Sequence, residues 1–155
     1  MSTLYIIGIG PGATDMMTER AREALSKSDI ILGYKTYLDL IRNEYPDKEF
    51  HESGMREEIS RCREAVELAN EGKTVSLICS GDAGVYGMAS PALTIAAEEG
   101  FSDIEVIAGV SAANAASGTM ARDAPDAAFP FPEISAIRDI AVSASPAPNT
   151  DCSAQ

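Results

Sequence analysis

The sequence predicts an α/β protein, an open and mainly parallel sheet with helices on both faces. Apolar runs and helical segments alternate without a break up to about residue 116, as in parallel strands joined by right-handed crossovers. The first run, residues 4–9, is continuously apolar, which is typical of a strand covered on both faces. Loops of small residues follow three of the runs, where open α/β sheets hold their ligands.

The first half of the chain carries clear start and stop signals. Thr18 is placed to cap a helix that ends near Lys27. Residues 29–33 form the second strand, and Pro46 is expected to end the short helix that follows it. Residues 49–51 read as a short third strand.

The next helix is predicted from apolar spacing. Four residues at helical spacing are expected to share its inner face: Ile59, Cys62, Val66 and Ala69. Gly72 lies beyond its end, where glycine commonly stops a helix. The apolar run over 75–79 is the fourth strand.

The last predicted elements follow the fourth strand. Ser90 and Pro91 suit an N-cap and a first helical position, and Gly100 supplies the stop. Residues 104–107 form a fifth strand, and another helix starts within residues 109–113.

The chain changes character after Ser117. Five of the 8 prolines lie there, among many alanines and serines. We therefore expect residues 1–116 to form one domain and residues 117–155 to be an irregular or disordered tail.

Composition and charge limit the classes of function. There are 24 acidic and 12 basic residues, for a net charge of -12, and no basic stripe, so no nucleic-acid partner is expected. No long apolar run or basic leader is present, so we expect no membrane partner. The three cysteines are widely spaced, which predicts free thiols in a reducing, cytoplasmic setting. No nucleophile, metal cluster or acid–base pair can be assembled, so no catalytic or metal-binding residue is predicted.

The loop over residues 80–88 is the strongest candidate for a ligand site. Asp82 can accept hydrogen bonds from a ligand, and Tyr86 can stack on it or donate to it; alternatively, Asp82 only caps the turn. Ser111 likewise either faces a ligand or caps its helix. Because small-residue loops follow three strands, we favour one shared pocket over three unrelated turns.

The glycine turn after the first strand differs from a dinucleotide site. Residues 8–12 read G-I-G-P-G, whereas the fingerprint is G-x-G-x-x-G with an acidic residue closing the second strand. That strand ends in Gly33 and Tyr34, and Pro11 lacks a donor for a phosphate. A nicotinamide cofactor is therefore disfavoured, and a structural turn and a ligand wall both stay open.

The remaining polar side chains have ordinary explanations. His51 is expected to be a solvated residue at a strand end. Arg56, Arg61 and Arg63 are interleaved with glutamates on a predicted helix, which predicts a solvated helix face. Tyr34 and Tyr37 are expected to pack half-buried.

Methyl transfer from a sulfonium suits a sequence without a predicted nucleophile, metal cluster or acid–base pair, because in that reaction the protein mainly aligns the acceptor carbon.

Several separated motifs resemble those of the tetrapyrrole methylases, the S-adenosylmethionine-dependent enzymes of corrin and sirohaem biosynthesis. They are the strand and turn at 4–12, the loop at 80–89 and the segment at 109–113. Within that family, Gly33-Tyr34 with Tyr37, residues 54–58 and Arg61-Cys62 look like the branch that methylates carbon 17 of precorrin-3B or cobalt-precorrin-3B.

The resemblance implies a reaction and a set of binding residues. The reaction is S-adenosylmethionine-dependent methyl transfer to carbon 17 of the macrocycle, with ring contraction, in cobalamin biosynthesis. The residues implied to contact S-adenosylmethionine are Pro11, Gly81, Asp82, Val85, Ser111 and Ala112. Gly10 and Tyr34 are implied to contact the tetrapyrrole substrate. The resemblance also implies a homodimer.

Family members continue through a second α/β domain and hold the cofactor in the cleft between the two domains. We therefore expect a truncated chain that binds the cofactor weakly and is inactive alone. The alternative from another class is a non-catalytic small-molecule-binding α/β module. The substrate carries many carboxylates, so local arginines or the second domain must complement a chain of net charge -12.

Overall fold

The computed structural model describes residues 2–116. Its elements are β1 (Leu4–Gly8), a 3-10 turn (Thr14–Met16), α1 (Glu19–Lys27), β2 (Ile30–Tyr34), α2 (Lys35–Ile41), β3 (Glu49–Ser53), α3 (Glu58–Asn70), β4 (Val75–Cys79), α4 (Ala89–Glu98) and β5 (Ile104–Ile107). A further helix begins at Ala112 and continues to the last described residue.

The five strands form one sheet in the order β3-β2-β4-β1-β5, and every pairing between them is parallel. Ile6 of β1 lies opposite Leu77 on one side and Val106 on the other. The predicted parallel α/β fold is confirmed. Because all five strands run the same way, the loops that follow them lie at one edge of the sheet.

Side chains of β1 alternate between two apolar cores. Leu4 and Ile6 belong to the core on the face covered by α3 and α4, whereas Tyr5 and Ile7 belong to the core under α1 and α2. All four side chains are buried. The helices therefore cover both faces of the sheet, as predicted, and a strand buried on both faces needs the continuous apolar run that β1 has.

Three local predictions differ from the structure. α4 begins at Ala89 with Met88 as its N-cap, so Ser90 is not the cap and Pro91 is the third helical residue. Proline is tolerated there because the first-turn amides have no acceptor within the helix. α2 ends at Ile41, before Pro46. Ile59, predicted on the inner face of α3, lies in the first turn of that helix and is 58% exposed, whereas the buried residues of α3 begin at Arg61.

The cysteines agree with the prediction within the described residues. Cys62 and Cys79 are free and buried. Burial raises the pKa of the Cys62 thiol to about 11 and also raises the pKa of Cys79, so both thiols are protonated near neutral pH. Cys152 and the predicted tail over 117–155 lie outside the described residues. No helix of the described part combines the length and apolar character needed to cross a bilayer.

His51 links β3 to α3 through hydrogen bonds of both ring nitrogens, whereas the sequence predicts a solvated side chain at a strand end. Its Nε2 lies 2.8 Å from Glu49 Oε1, and its Nδ1 lies 2.6 Å from Glu64 Oε1. Both hydrogen bonds raise the pKa of the imidazole, and the bond to Glu49 has the larger effect. The protonated form is therefore stabilised by folding.

We expect the stabilisation from His51 to depend on pH. Because the folded pKa is raised, the contribution is fully present below the unfolded pKa of about 6.5 and is lost as pH rises through the folded pKa. Urea denaturation should show that His51→Gln lowers the free energy of unfolding by about 0.5–1 kcal/mol near pH 5.5 and by less near pH 8.5. An equal loss at both pH values would contradict this assignment.

Candidate functional site

Loops from three strand ends meet at the carboxyl edge of the sheet. The N–H of Ile9, after β1, donates to Cys79 O at the end of β4 at 2.9 Å. Gly10 and Gly81 then exchange two backbone hydrogen bonds: Gly10 N–H donates to Gly81 O at 3.1 Å, and Gly81 N–H donates to Gly10 O at 2.8 Å. This antiparallel bridge fixes the loop after β1 against the loop after β4.

Gly8 and Gly109 have to be glycine because the backbone oxygen of Gly81 lies where their Cβ atoms would be. A Cβ on Gly109 would lie 2.1 Å from Gly81 O, and a Cβ on Gly8 would lie 2.4 Å from the same oxygen. Gly81 itself has a φ of +65°, the left-handed region that glycine adopts without strain. The glycines of this edge therefore allow three loops to pack backbone against backbone.

Asp82 anchors the loop after β4. Its Oδ1 accepts from the N–H groups of Gly84 and Val85 at 2.9 and 3.0 Å, and its Oδ2 accepts from Gly109 N–H at 2.9 Å. The Gly109 amide is the main cause of the lowered pKa of this carboxyl. Three of about four lone-pair positions are thus filled by backbone donors. Asp82 therefore caps the turn, which is the alternative to ligand binding given above. One acceptor position of its carboxylate remains for a ligand.

The three loops border a half-open cavity of about 570 Å³, within the size range of small-molecule sites. All six residues predicted to contact the cofactor line it. The complete lining is Pro11, Ser80, Gly81, Asp82, Val85, Tyr86, Ser111, Ala112 and Ala113. Ser111 also caps the helix that begins at Ala112, because its Oγ accepts from Asn114 N–H at 3.3 Å. Small side chains and exposed backbone suit a cofactor that lies close to the loops.

Tyr86 stands at the mouth of this cavity in an uncommon conformation. Its φ is +54°, and its side chain is fully exposed. A bulky residue in the left-handed region costs about 1–2 kcal/mol, and such strain is commonly found at ligand sites. The sequence predicts that Tyr86 can stack on a ligand or donate to it, and its place in the cavity wall is compatible with either role.

A second cavity of about 260 Å³ adjoins the first and shares Ser80 and Tyr86 with it. Tyr34, predicted to contact the substrate, lies in its wall. The ring of Tyr34 packs edge to face on Tyr37, with centroids 5.4 Å apart. Gly10, the other residue predicted to contact the substrate, is held by its bridge to Gly81 instead.

Arg61 is the site residue that the sequence interpretation missed. It was assigned to a solvated face, yet it is 5% exposed and lines the second cavity. Its Nε donates to Ser53 Oγ, and its Nη2 donates to Gly54 O at 3.1 Å. The available signal was its spacing, because Arg61 lies four residues before Ala65 and eight before Ala69, both of which face the core.

Comparisons with known proteins agree with the resemblance seen in the motifs. The family model for tetrapyrrole (corrin/porphyrin) methylases matches residues 3–130. The cobalt-factor III methyltransferase of Priestia megaterium is 46% identical over 122 residues, covering 76% of this chain and 23% of that protein. The probable cobalt-factor III C(17)-methyltransferase of Salmonella typhimurium is 46% identical over 119 residues, covering 76% of this chain and 49% of that protein.

The solved structure of the methyltransferase CobJ matches the fold with a TM-score of 0.69 at 30% identity, covering 77% of this chain and 51% of that one. The chain thus spans about half, or less, of the length of the relatives it matches. The family match extends over most of the sequence, and the sheet and the edge loops described above agree with it. By sequence and by fold, this chain belongs to the tetrapyrrole (corrin/porphyrin) methylases.

Proposed function

We propose that this chain provides the S-adenosylmethionine-binding part of an enzyme that methylates carbon 17 of precorrin-3B or its cobalt form, with ring contraction, in cobalamin biosynthesis. The observation that carries the proposal is that Pro11, Gly81, Asp82, Val85, Ser111 and Ala112 line one cavity. Two relatives at 46% identity are named cobalt-factor III methyltransferases, which supports the choice of branch.

The residues of this edge are suited to positioning two reactants. S-adenosylmethionine supplies an activated methyl group when it is bound, so the protein needs chiefly to align the acceptor carbon with it. Asp82 holds the loop after β4 in place, and the glycine backbones leave room for close approach of a ligand. Ser80 and Tyr86 border both cavities, so an acceptor in the second cavity would lie next to a cofactor in the first.

Calorimetric titration of the chain with S-adenosylhomocysteine tests cofactor binding, with NAD⁺ as the comparison ligand. We expect S-adenosylhomocysteine to bind and NAD⁺ not to bind. Transfer of a labelled methyl group to precorrin-3B, followed by mass spectrometry, then tests the reaction. Methyl transfer by the chain would support the enzyme over the small-molecule-binding module. Binding without transfer agrees with both, because the chain spans about half or less of the relatives named as methyltransferases. No binding of S-adenosylhomocysteine would contradict the proposal.

Enlarging Ala112 should block the proposed cofactor cavity. Ala112→Leu adds a branched side chain to an exposed residue of the cavity wall, and we expect S-adenosylhomocysteine to bind at least about tenfold more weakly, a loss of roughly 1.4 kcal/mol. Ala97→Leu is the matched control, since Ala97 is an exposed residue of α4 outside the cavity. If the two variants bind S-adenosylhomocysteine with equal affinity, Ala112 is not part of the binding site.

The proposed acceptor is a tetrapyrrole, which is consistent with the family. Two further expectations accompany it, a homodimer in the cytoplasm and no nucleic-acid partner. Sedimentation velocity of the purified chain with and without S-adenosylhomocysteine measures the oligomeric state, and monomers under both conditions would count against the dimer.

A further inference from the structure

Arg61 carries a buried charge without a carboxylate partner. It is the one charged side chain below a tenth exposed within residues 2–116, and none of the ion pairs of that part of the chain includes it. Buried guanidinium groups are costly unless an anion and hydrogen-bond acceptors compensate them. The two neutral acceptors present, Ser53 Oγ and Gly54 O, supply only part of that compensation.

The guanidinium has donors left for a ligand. Nε donates to Ser53 and Nη2 donates once to Gly54, which uses two of its five N–H groups. Arg61 is one of the residues that line the second cavity. A carboxylate accepts two parallel hydrogen bonds from an arginine fork, and this geometry is among the strongest that an arginine makes.

The second cavity, at about 260 Å³, has room for one edge of a large flat ring, and the rest of its wall suits an apolar ring with an anionic edge. Its wall contains the perpendicular Tyr34–Tyr37 pair and the thioethers of Met55 and Met88. Met55 is 72% exposed, so an apolar side chain is available to cover a ligand. Arg61 lies at the same cavity and would meet the edge of such a ring.

Glu58 lines the cavity as well and brings a negative charge to it. Its carboxylate precedes Arg61 by one helical turn but does not form an ion pair with it. An anionic ligand would be repelled by Glu58 and attracted by Arg61. The two residues are therefore expected to have opposite effects on the binding of a carboxylate.

We propose that Arg61 binds a peripheral carboxylate of the tetrapyrrole substrate in the cavity next to the cofactor loops. The inference rests on the proposed function, because it places the carboxylate-bearing edge of the acceptor ring in that cavity. Arg61 is a substrate-binding residue in this assignment. It supplies locally the positive charge that a chain of net charge -12 lacks overall.

Titration of the full chain with uroporphyrin, a polycarboxylate porphyrin with strong visible absorption, tests this assignment. Arg61→Gln should weaken uroporphyrin binding about 10- to 100-fold, the loss expected for a charged hydrogen-bonded pair. Arg63→Gln is the matched control, since Arg63 is an exposed arginine of the same helix that pairs with Glu99 at 3.2 Å. We expect its affinity for uroporphyrin to stay within about twofold of the unaltered chain.

The methyl ester of uroporphyrin separates carboxylate binding from a structural role. It keeps the ring and removes the anions, so Arg61→Gln should not weaken its binding relative to the unaltered chain. Three results would overturn the proposal. In the first, Arg61→Gln weakens binding of the acid and the ester equally. In the second, Arg61→Gln and Arg63→Gln bind the acid with equal affinity, and in the third the unaltered chain does not bind the acid.

If Arg61→Gln does not fold, the exposed residue Glu58 decides the question. Glu58→Gln should tighten binding of the acid about two- to fivefold and leave the ester unchanged, and no change with the acid would overturn the proposal. S-adenosylhomocysteine is titrated into each variant as a separate measurement. Its failure to bind the unaltered chain would count against the proposed function, whereas normal cofactor binding with no effect of Arg61 or Glu58 would count against this inference alone.

Discussion

Gly109→Ala should destabilise the domain by about 3 kcal/mol or more, the upper range for inserting an atom into a packed site. The new Cβ would lie 2.1 Å from Gly81 O and 2.5 Å from Gly8 O. One neighbour is a backbone atom at the end of β1 and the other a backbone atom of the loop after β4. Both segments are held by backbone hydrogen bonds, so neither can move without breaking some of them. Thermal denaturation should show a decrease of roughly 10 °C or more, since 1 kcal/mol corresponds to about 4–8 °C in a domain of this size.

Gly54→Ala is the matched control for this substitution. A Cβ on Gly54 would come within 3.3 Å of Glu57 Oε2. This exposed carboxylate accepts from Gly54 N–H at 2.6 Å and needs to shift by only a few tenths of an ångström. We expect its cost to be below about 1 kcal/mol. If the two variants melt at the same temperature, the backbone contact at Gly109 does not limit stability.

Removing the carboxylate of Asp82 should both loosen the loop and reduce cofactor binding. Asp82→Ala leaves the amides of Gly84, Val85 and Gly109 without their acceptor. Because hydrogen bonds to charged groups contribute about 1.5–3 kcal/mol each when well protected, and this carboxylate is partly exposed, we expect a loss of about 2–3 kcal/mol in total. S-adenosylhomocysteine should bind at least about tenfold more weakly, as measured by calorimetry.

The contribution of Asp82 should also depend on pH with a defined sign. Its folded pKa is lowered, so the stabilisation is present above the unfolded pKa of about 3.9 and is lost as pH falls through the folded pKa. Asp82→Asn should therefore flatten the decline in stability between about pH 5 and pH 2. Asp15→Asn, at an exposed residue of the 3-10 turn, should leave that decline unchanged. Identical acid profiles for the two variants would contradict the anchoring role.

Strands and loop positions could be predicted because their causes are local in sequence. The runs that became β1 and β4 are apolar, as burial on both faces requires, except for Ser76 of β4, whose buried hydroxyl hydrogen-bonds to that of Ser28. Thr18 caps α1 as expected, with its side chain accepting from Ala21 N–H at 3.2 Å. The parallel order of the strands then places the loops after β1, β4 and β5 at one edge. The shared cavity followed from topology as much as from residue type.

The misassigned residues depend on contacts that the local pattern does not encode. The prediction of Ser90 as N-cap and Pro91 as first helical residue places the helix start two residues late, because Ala89 N–H donates to Ala83 O at 3.0 Å and fixes the start from the loop. Arg61 looked solvated because glutamates surround it in sequence. Its acceptors, Ser53 Oγ and Gly54 O, lie in a different element and segment, so only the folded chain shows why it is buried.

The bridge between Gly10 and Gly81 has a consequence for the entropy of binding. Two loops that carry cavity residues are already fixed to each other by paired backbone hydrogen bonds, so a ligand does not have to order them. Ordering a residue costs about 1–2 kcal/mol, and preformed sites avoid that cost. Amide hydrogen exchange should accordingly find the Gly10 and Gly81 N–H groups protected to a similar extent as their neighbours in β1 and β4, although both residues lie in loops.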